Sequence, residues 1–492
     1  MDNEPSARWH WLTFERMVTA VLFLGIFAMA ARLPFDTDSW WHLQSGRWIV
    51  ENQTIPRTDP FSFTRFGQPW IDHGWLAQIG WYLVFDWLGY AGPVLLLAAL
   101  VTAAYYFAWL QCRESNRWLQ AFILIIAAVA SGIIWAARPQ MVSFFLTSVI
   151  AFLLYRFKQG QRRIIWWLPV VILLWVNIHG GFAIGFILMF AYLFGEVGNI
   201  ILKTGSPGIG WRGLGTLLLV MLACVAVIPL NPNGFQMLIY PFRTVGIEIL
   251  QQFIAEWQAP NFHEFYLHPF IWLLLAAITS FGLAGKRADF TDLTLVALFT
   301  YMSLLAVRNI PLFALVAAPV IVRYSSGAWD RWRGQPEKKP VTSSGLMTAV
   351  NLLIVLLLVG VAGLRVAQSA SAQANLAEQI KTLPVGAVEF LRQEQPPGPI
   401  FNNYNWGGYI IWDLPQYPVF VDGRTDLFDD EFLRQYLSIY LGENGWQEKL
   451  DSFGINLILI EPDSGLAREL AQAAGWEKVY GDETAVIYTR QN

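Results

Sequence analysis

The sequence is short of charge: only 14% of its 492 residues are Asp, Glu, Lys or Arg, against 55% hydrophobic and 15% aromatic. Such a composition excludes an ordinary soluble chain and describes a polytopic membrane protein. A net charge of −3 provides no basic excess, and no nucleic-acid partner is expected. There are two cysteines, Cys112 and Cys224, too far apart in the expected topology for a disulfide or a metal site. No cleavable signal peptide is evident. The first apolar run is preceded by Glu15 and Arg16 and followed by Asp36, with no small-residue cleavage site, and reads as a retained helix. Internal repeats and extended low-complexity segments are also lacking.

Long apolar runs are plentiful. Stretches able to cross a hydrocarbon core of about 30 Å fall near 16–34, 91–110, 119–136, 140–155, 165–178, 182–202, 214–230, 269–285, 292–307, 309–323 and 346–364, about eleven spans. Lysine and arginine orient them, because basic loops stay in the cytoplasm. Seventeen of the 33 lie in the N-terminus and alternate loops, including Arg8, Arg113, Lys158, Lys286, Lys338 and Lys339; seven lie in the opposite loops and helix ends; nine follow residue 364. An odd number of spans with the N-terminus cytoplasmic places the C-terminal part outside the cell membrane.

Residues 1–364 are therefore expected to form the membrane domain, with outer loops over 33–74 and 231–268. The first loop opens with LPFDTDSWWHLQSGRWIV, where Asp38 or Ser39 can cap a short helix. Its mixture of tryptophan, aliphatic and polar residues suits a helix lying in the membrane interface. The following IPRTDPFSFTRFGQPWIDHGW is too rich in proline and turn residues to be helical and is expected to run extended over the bundle. From Arg365 the composition becomes that of a small soluble α/β domain, 365–492. PIFNN, YPVFVDGR, INLILIEP and TAVIYTR read as strands, and EFLRQYLSIYL and GLARELAQAAG as helices.

The chemistry-bearing residues gather in the loops assigned to the outer side. Asp36 and Asp38, with His42 after them, can bind a divalent cation through oxygen or deprotonate a hydroxyl, although capping of a helix accounts for the pair as readily. Asp72 and His73 close the same loop and can orient a substrate or move a proton; loop polarity explains them as well. Arg138, between two apolar runs, calls for a phosphate or a carboxylate partner. His179 is followed by two glycines that allow close backbone approach. Glu256, His263 and the pair Arg308 and Asn309 complete the set, and five of the six histidines belong to this side. Together they describe a polar cavity above a helix bundle. Asn402, Asn403, Trp406, Asp422, Arg424 and Asp426 in the tail are candidates to meet an acceptor, or else turn-forming residues.

The DTDSWWH, RPQ, HGGF, EWQAP and RNIP segments, spread over most of the membrane region, resemble those of the GT-C superfamily. These are integral-membrane glycosyltransferases that take sugars from polyprenyl-phosphate carriers. The nearer likeness is to uncharacterised bacterial members close to the protein O-mannosyltransferase and aminoarabinose transferase branch. The acidic pair that the family carries after its first span falls here on Asp38 and Ser39, one acid instead of two. The resemblance thus implies Asp38 as catalytic base, assisted by Asp36 or His73, and leaves open a divalent cation, Mg or Mn, on Asp36 and Asp38. It implies substrate-binding roles for His42, Asp72, Arg138, His179, Glu256, His263, Arg308 and Asn309. The expected activity is inverting transfer from a polyprenyl-phosphate sugar to an envelope glycan, lipid or protein, at the outer face of a bacterial plasma membrane. Absence of a WWDYG-type motif argues against N-glycosylation. The alternative is a transporter or flippase for a lipid-linked saccharide, against which the missing repeats and the one-sided charges speak.

Overall fold

The computed structural model describes residues 12–285, 287–333 and 345–491. Arg8, Lys286, Lys338 and Lys339, on which the expected orientation partly rests, lie outside them. The helices run in order α1 (Phe14–Ala30), α2 (Ser39–Asn52), α3 (Trp75–Leu88), α4 (Ala91–Leu110), α5 (Arg117–Ser131), α6 (Gln140–Lys158), α7 (Leu168–Val176), α8 (Ala183–Ile201), α9 (Gly210–Val227), α10 (Gln236–Val245), α11 (Glu248–Phe253), α12 (His268–Gly282), α13 (Phe290–Leu305), α14 (Ile310–Arg333) and α15 (Gly345–Ser369). Local chemistry sets several of their starts. Thr13 Oγ1 accepts from the Arg16 N–H at α1, the Asn116 side chain accepts from Trp118 and Leu119 N–H at α5, and Asp289 does the same for α13. Pro269 stands in the first turn of α12, where its missing N–H costs nothing.

Among the described residues, eight of these helical segments are long and apolar enough to cross a membrane. The other three expected spans coincide with the shorter apolar helices α1, α7 and α13, of 17, 9 and 16 residues. Charge is segregated to the two ends of the bundle. Arg138 precedes α6 and Lys158 ends it, which separates them by about 30 Å at 1.5 Å per residue. At the Lys158 end its Nζ pairs with fully buried Glu196 and with Asp289 Oδ1 at 2.7 Å, while Arg323 pairs with Asp292 at 2.7 Å.

After α15 come α16 (Ala372–Thr382), α17 (Val385–Glu394), β1 (Ile400–Asn402), α18 (Gly407–Asp413), α19 (Asp430–Tyr440), α20 (Trp446–Ser452), β2 (Leu457–Ile460), α21 (Gly465–Leu470), β3 (Trp476–Gly481) and β4 (Val486–Arg490). The sheet order is β1-β2-β4-β3, with β1 parallel to β2 and the other pairs antiparallel. Two strand expectations change. YPVFVDGR does not enter this sheet; Val419 instead bridges in parallel to Ser62 of the first outer loop, its N–H donating to Phe61 O at 3.2 Å. The strand β3, with Glu477 and Lys478 in its middle, shows no apolar alternation because it is an edge strand with mostly exposed or half-buried residues.

The helix α2 is also not an interfacial helix. Trp40, Trp41, Leu43, Ser45 and Ile49 are buried, because one side packs on α3 and another on α18. Trp40 meets Tyr409 edge to face with centroids 5.4 Å apart. The apolar surface that suggested a lipid-facing helix is covered by the C-terminal part of the chain.

Candidate active site

The capping of α2 determines what its acids can do. Asp38 occupies the N-cap position but makes no capping hydrogen bond. Asp36 does so instead: its Oδ1 accepts from the backbone N–H of Asp38 at 3.2 Å and of Ser39 at 3.0 Å, and from Ser39 Oγ at 2.9 Å. Asp36 Oδ2 and Asp38 Oδ2 are left to face Arg138, while Asp38 Oδ1 accepts from Trp41 Nε1 at 3.4 Å.

Arg138 is held by its turn, in which the Ala137 N–H donates to Pro34 O at 2.6 Å. Its guanidinium gathers three carboxylates: Nε meets Asp36 Oδ2 at 2.9 Å, one terminal nitrogen meets Asp38 Oδ2 at 2.6 Å and the other meets Glu256 Oε1 at 2.9 Å. Three half-buried carboxylates thus share the one guanidinium. Burial pushes Asp38 up to about 6, with Asp36 and Glu256 adding to the rise and Arg138 opposing it. Burial also acts to raise Glu256, but Arg138 and Arg308 outweigh it and hold that carboxyl below its usual range. Arg308 lies over the Trp257 ring at 4.1 Å and, among the described residues, has no carboxylate within ion-pair distance. The two loops are joined where the Val307 N–H donates to Gln258 O at 3.0 Å.

A second group, mostly uncharged, adjoins the first. Gln78 Nε2 donates to Asp72 Oδ1 at 2.8 Å and lies 3.3 Å from His42 Nδ1. Asp72 Oδ2 and Gln78 Oε1 are buried with no hydrogen-bond partner, and burial pushes Asp72 up to about 7. His179 Nδ1 accepts from the Gly181 N–H at 3.0 Å and lies 2.8 Å from Ser143 Oγ, which itself accepts from Trp175 Nε1 at 2.6 Å. The His73 and His179 rings meet edge to face at 5.5 Å. Burial lowers the pKa of His42, His73 and His179, so all three are neutral near pH 7. Gly180 is required by space: a Cβ there would lie 2.5 Å from Tyr240 Cε1.

The C-terminal part closes the site. Arg424 is fully buried, bound to Asp422 through two nitrogens and to Asp59 Oδ1 at 2.5 Å, and stacked on the rings of Phe61 and Trp70. That clamp presses Gly423 against the acids; a Cβ there would stand 1.9 Å from Asp38 Oδ1. It also presents Asp426, whose Oδ2 accepts from Tyr240 OH at 3.1 Å.

The structure thus brings together Asp36, Asp38, Arg138, Glu256 and Arg308 in one group and His42, Asp72, His73 and His179 in the other. His263 stays apart, exposed on its loop with its N–H on Asn261 Oδ1, and Asn309 turns back to donate to Met302 O at 2.9 Å. Asp422 and Arg424 hold the loops together, and Asn402 and Asn403 serve backbone atoms and Glu461. Trp406 Nε1 donates to Thr382 O. Sequence reasoning misses Gln78, Ser143 and Tyr240, which sit within apolar helices and carry no motif. Among the described residues no group of three or more His, Cys, Asp or Glu side chains is placed to hold a metal. The space between Asp36 and Asp38 is taken by Arg138, so these residues do not fit the divalent cation, Mg or Mn, that the sequence left open.

No family model matches the sequence, and neither does any curated protein. Solved structures do. The Archaeoglobus fulgidus oligosaccharyltransferase AglB, in complex with an inhibitory peptide and a dolichol-phosphate, matches with TM-score 0.58 at 13% identity over 97% of this chain and 75% of its own. The same archaeal enzyme in complex with Zn and sulfate gives 0.57 at 14% identity over 95% and 73%. ArnT from Cupriavidus metallidurans bound to undecaprenyl phosphate gives 0.52 at 13% identity, covering 96% of this chain and 97% of that one. At such identity the likeness concerns architecture: the chain has the fold of these multi-pass membrane enzymes, a helical bundle followed by a C-terminal part with a small sheet.

Proposed function

We propose that the protein is a membrane glycosyltransferase that moves a sugar from a polyprenyl-phosphate donor to a hydroxyl of an envelope glycan, lipid or protein, with inversion. It acts at the outer face of a bacterial plasma membrane, with its N-terminus cytoplasmic and its C-terminal part outside. The observation that carries this reading is the convergence of Asp36, Asp38 and Glu256 on Arg138 beside an Arg308 that, among the described residues, has no carboxylate in ion-pair contact. The shared fold supports it, since AglB and ArnT were each solved with a polyprenyl-type phosphate.

In this reading Asp38 takes the proton of the acceptor hydroxyl while the acceptor oxygen bonds to the anomeric carbon. The bond from that carbon to the phosphate oxygen breaks, and polyprenyl phosphate leaves with the electron pair. A single displacement of this kind inverts the centre. Arg138, with its guanidinium edges already engaged, orders the acids. Arg308 is left to meet the phosphate as its charge grows. Asp36 and His73 assist, and His42, Asp72, His179 and Glu256 shape the sugar site.

The test is incubation of the purified protein in nanodiscs with a panel of radiolabelled polyprenyl-phosphate sugars and membrane extract, with and without chelator. Label transfer that survives chelation and is lost in Asp38→Asn, with folding intact, is the expected result. Retained transfer in Asp38→Asn would refute the base assignment, and binding without turnover across the panel would shift the reading to a saccharide transporter.

A further inference from the structure

Three segments far apart in the chain meet at one phenol. Tyr240, on α10 of the second outer loop, is buried, and its hydroxyl lies 2.6 Å from His73 Nδ1 at the end of the first outer loop. The same hydroxyl lies 3.1 Å from Asp426 Oδ2, two residues beyond the Arg424 clamp. The His73 and Tyr240 rings are 4.7 Å apart.

The hydrogens in this chain can be counted. A phenol has one hydrogen to donate, and an ionised carboxylate can only accept. With Asp426 taking the Tyr240 hydrogen, the phenol oxygen can only accept from His73, which must then carry its hydrogen on Nδ1. The opposite arrangement, phenol donating to His73, would set a carboxylate oxygen against a phenol lone pair 3.1 Å away. With the hydrogen on Nδ1, the other ring nitrogen is a bare acceptor. No protein donor reaches Nε2 among the described hydrogen bonds.

We propose that Asp426 is a positioning residue: acting through Tyr240, it fixes His73 as the Nδ1–H tautomer so that Nε2 accepts a hydrogen from a substrate hydroxyl. The role of that hydroxyl rests on the glycosyl-transfer reading; the tautomer does not. The arrangement makes the C-terminal part of the chain a contributor to the chemistry of the site as well as its cover. It also explains why a neutral imidazole stands beside the acidic group: it can receive a hydroxyl hydrogen without adding charge to a place that already holds three carboxylates and one paired arginine.

The experiment is nitrogen-15 NMR of the full chain in nanodiscs with labelled histidine, at a pH near 7.5, the His73 signals being identified by their loss in His73→Gln. The native protein is expected to show His73 protonated on Nδ1 and bare on Nε2. In Asp426→Ala the phenol hydrogen has no carboxylate to go to, turns to Nδ1, and the tautomer reverses. Asp426→Asn keeps an amide oxygen able to accept from the phenol and keeps the native tautomer. An Nε2–H signal in the native protein, or the native tautomer persisting in Asp426→Ala, overturns the proposal; should Asp426→Ala fail to fold, the native and Asp426→Asn spectra decide it.

Kinetics supply the second readout. Asp426→Ala is expected to lower kcat by about 10- to 100-fold with the donor KM within roughly twofold of native, and Asp426→Asn to recover most of the rate. An unchanged kcat overturns the role in turnover. If native protein transfers no sugar from any donor, the glycosyl-transfer reading falls while the spectra still decide the tautomer.

Discussion

Arg138 carries one positive charge among three carboxylates, and that imbalance is readable as pH dependence. The base proposed above, Asp38, must be ionised to work, so with Asp38 near 6 the proposed transfer should speed up with pH to about 6 and level off above it. Glu256 contributes to the rise of Asp38 and also draws on Arg138. Glu256→Gln should therefore move the acid limb of the pH–rate profile to lower pH, whereas an unmoved limb would show that Asp38 is not the titrating group. Asp72 makes a prediction about stability. Burial raises it to about 7 in the folded protein, against an unfolded value near 3.9. The folded state then holds the proton more tightly, so the stabilisation is complete below about pH 4 and is lost as pH rises toward 7. Thermal unfolding in detergent should show Tm falling across that window in the native protein and a flatter course in Asp72→Asn. The residue types at this site were legible in the sequence because acids, histidines and arginines are few in so apolar a chain. Their grouping was not, since nothing in DTDSWWH indicates that Asp36 rather than Asp38 would cap α2 and leave its neighbour to Arg138.

At the scale of elements, the loops matter more than the spans. The Arg424 clamp joins the first outer loop to the segment 421–426 through one guanidinium, two carboxylates and two aromatic rings, all out of water. Removing the cation strands two buried carboxylates, and Arg424→Ala should cost about 3–5 kcal/mol, seen as a large fall in Tm together with loss of transfer. Gly423→Ala separates the two effects: the clamp survives, but the added methyl collides with Asp38, so transfer should fall far more than Tm. Hydrophobic run length located the apolar helices well, because a bilayer demands the same length of each. It could not identify α2 as buried, because burial there depends on α18, which lies far along the chain. The same long-range pairing explains why YPVFVDGR, alternating like a strand, bonds to Phe61, Ser62 and Phe63 instead of joining the C-terminal sheet.

Across the whole molecule, the charges in the helical region are sorted to opposite ends of the bundle, one end carrying the candidate active site and the other the Lys158 and Arg323 networks. The second set is structural. Lys158 holds Glu196, which also accepts from the Ile209 N–H at 2.9 Å, so that α6, α8 and the start of α9 are tied together. Lys158→Met should leave Glu196 buried without its cation and cost about 3–5 kcal/mol; it should lower Tm while leaving the pH–rate profile of the remaining folded enzyme unchanged. Counting basic residues in the sequence anticipated this segregation, since it depends on loop membership alone. The way the tail folds back over the bundle was beyond it. That folding back has a consequence for how the protein is made. Gly423 and Asp426 follow every helix of the bundle in the sequence, so a chain still being synthesised, with all those helices already inserted, does not yet hold the two residues that complete the proposed site.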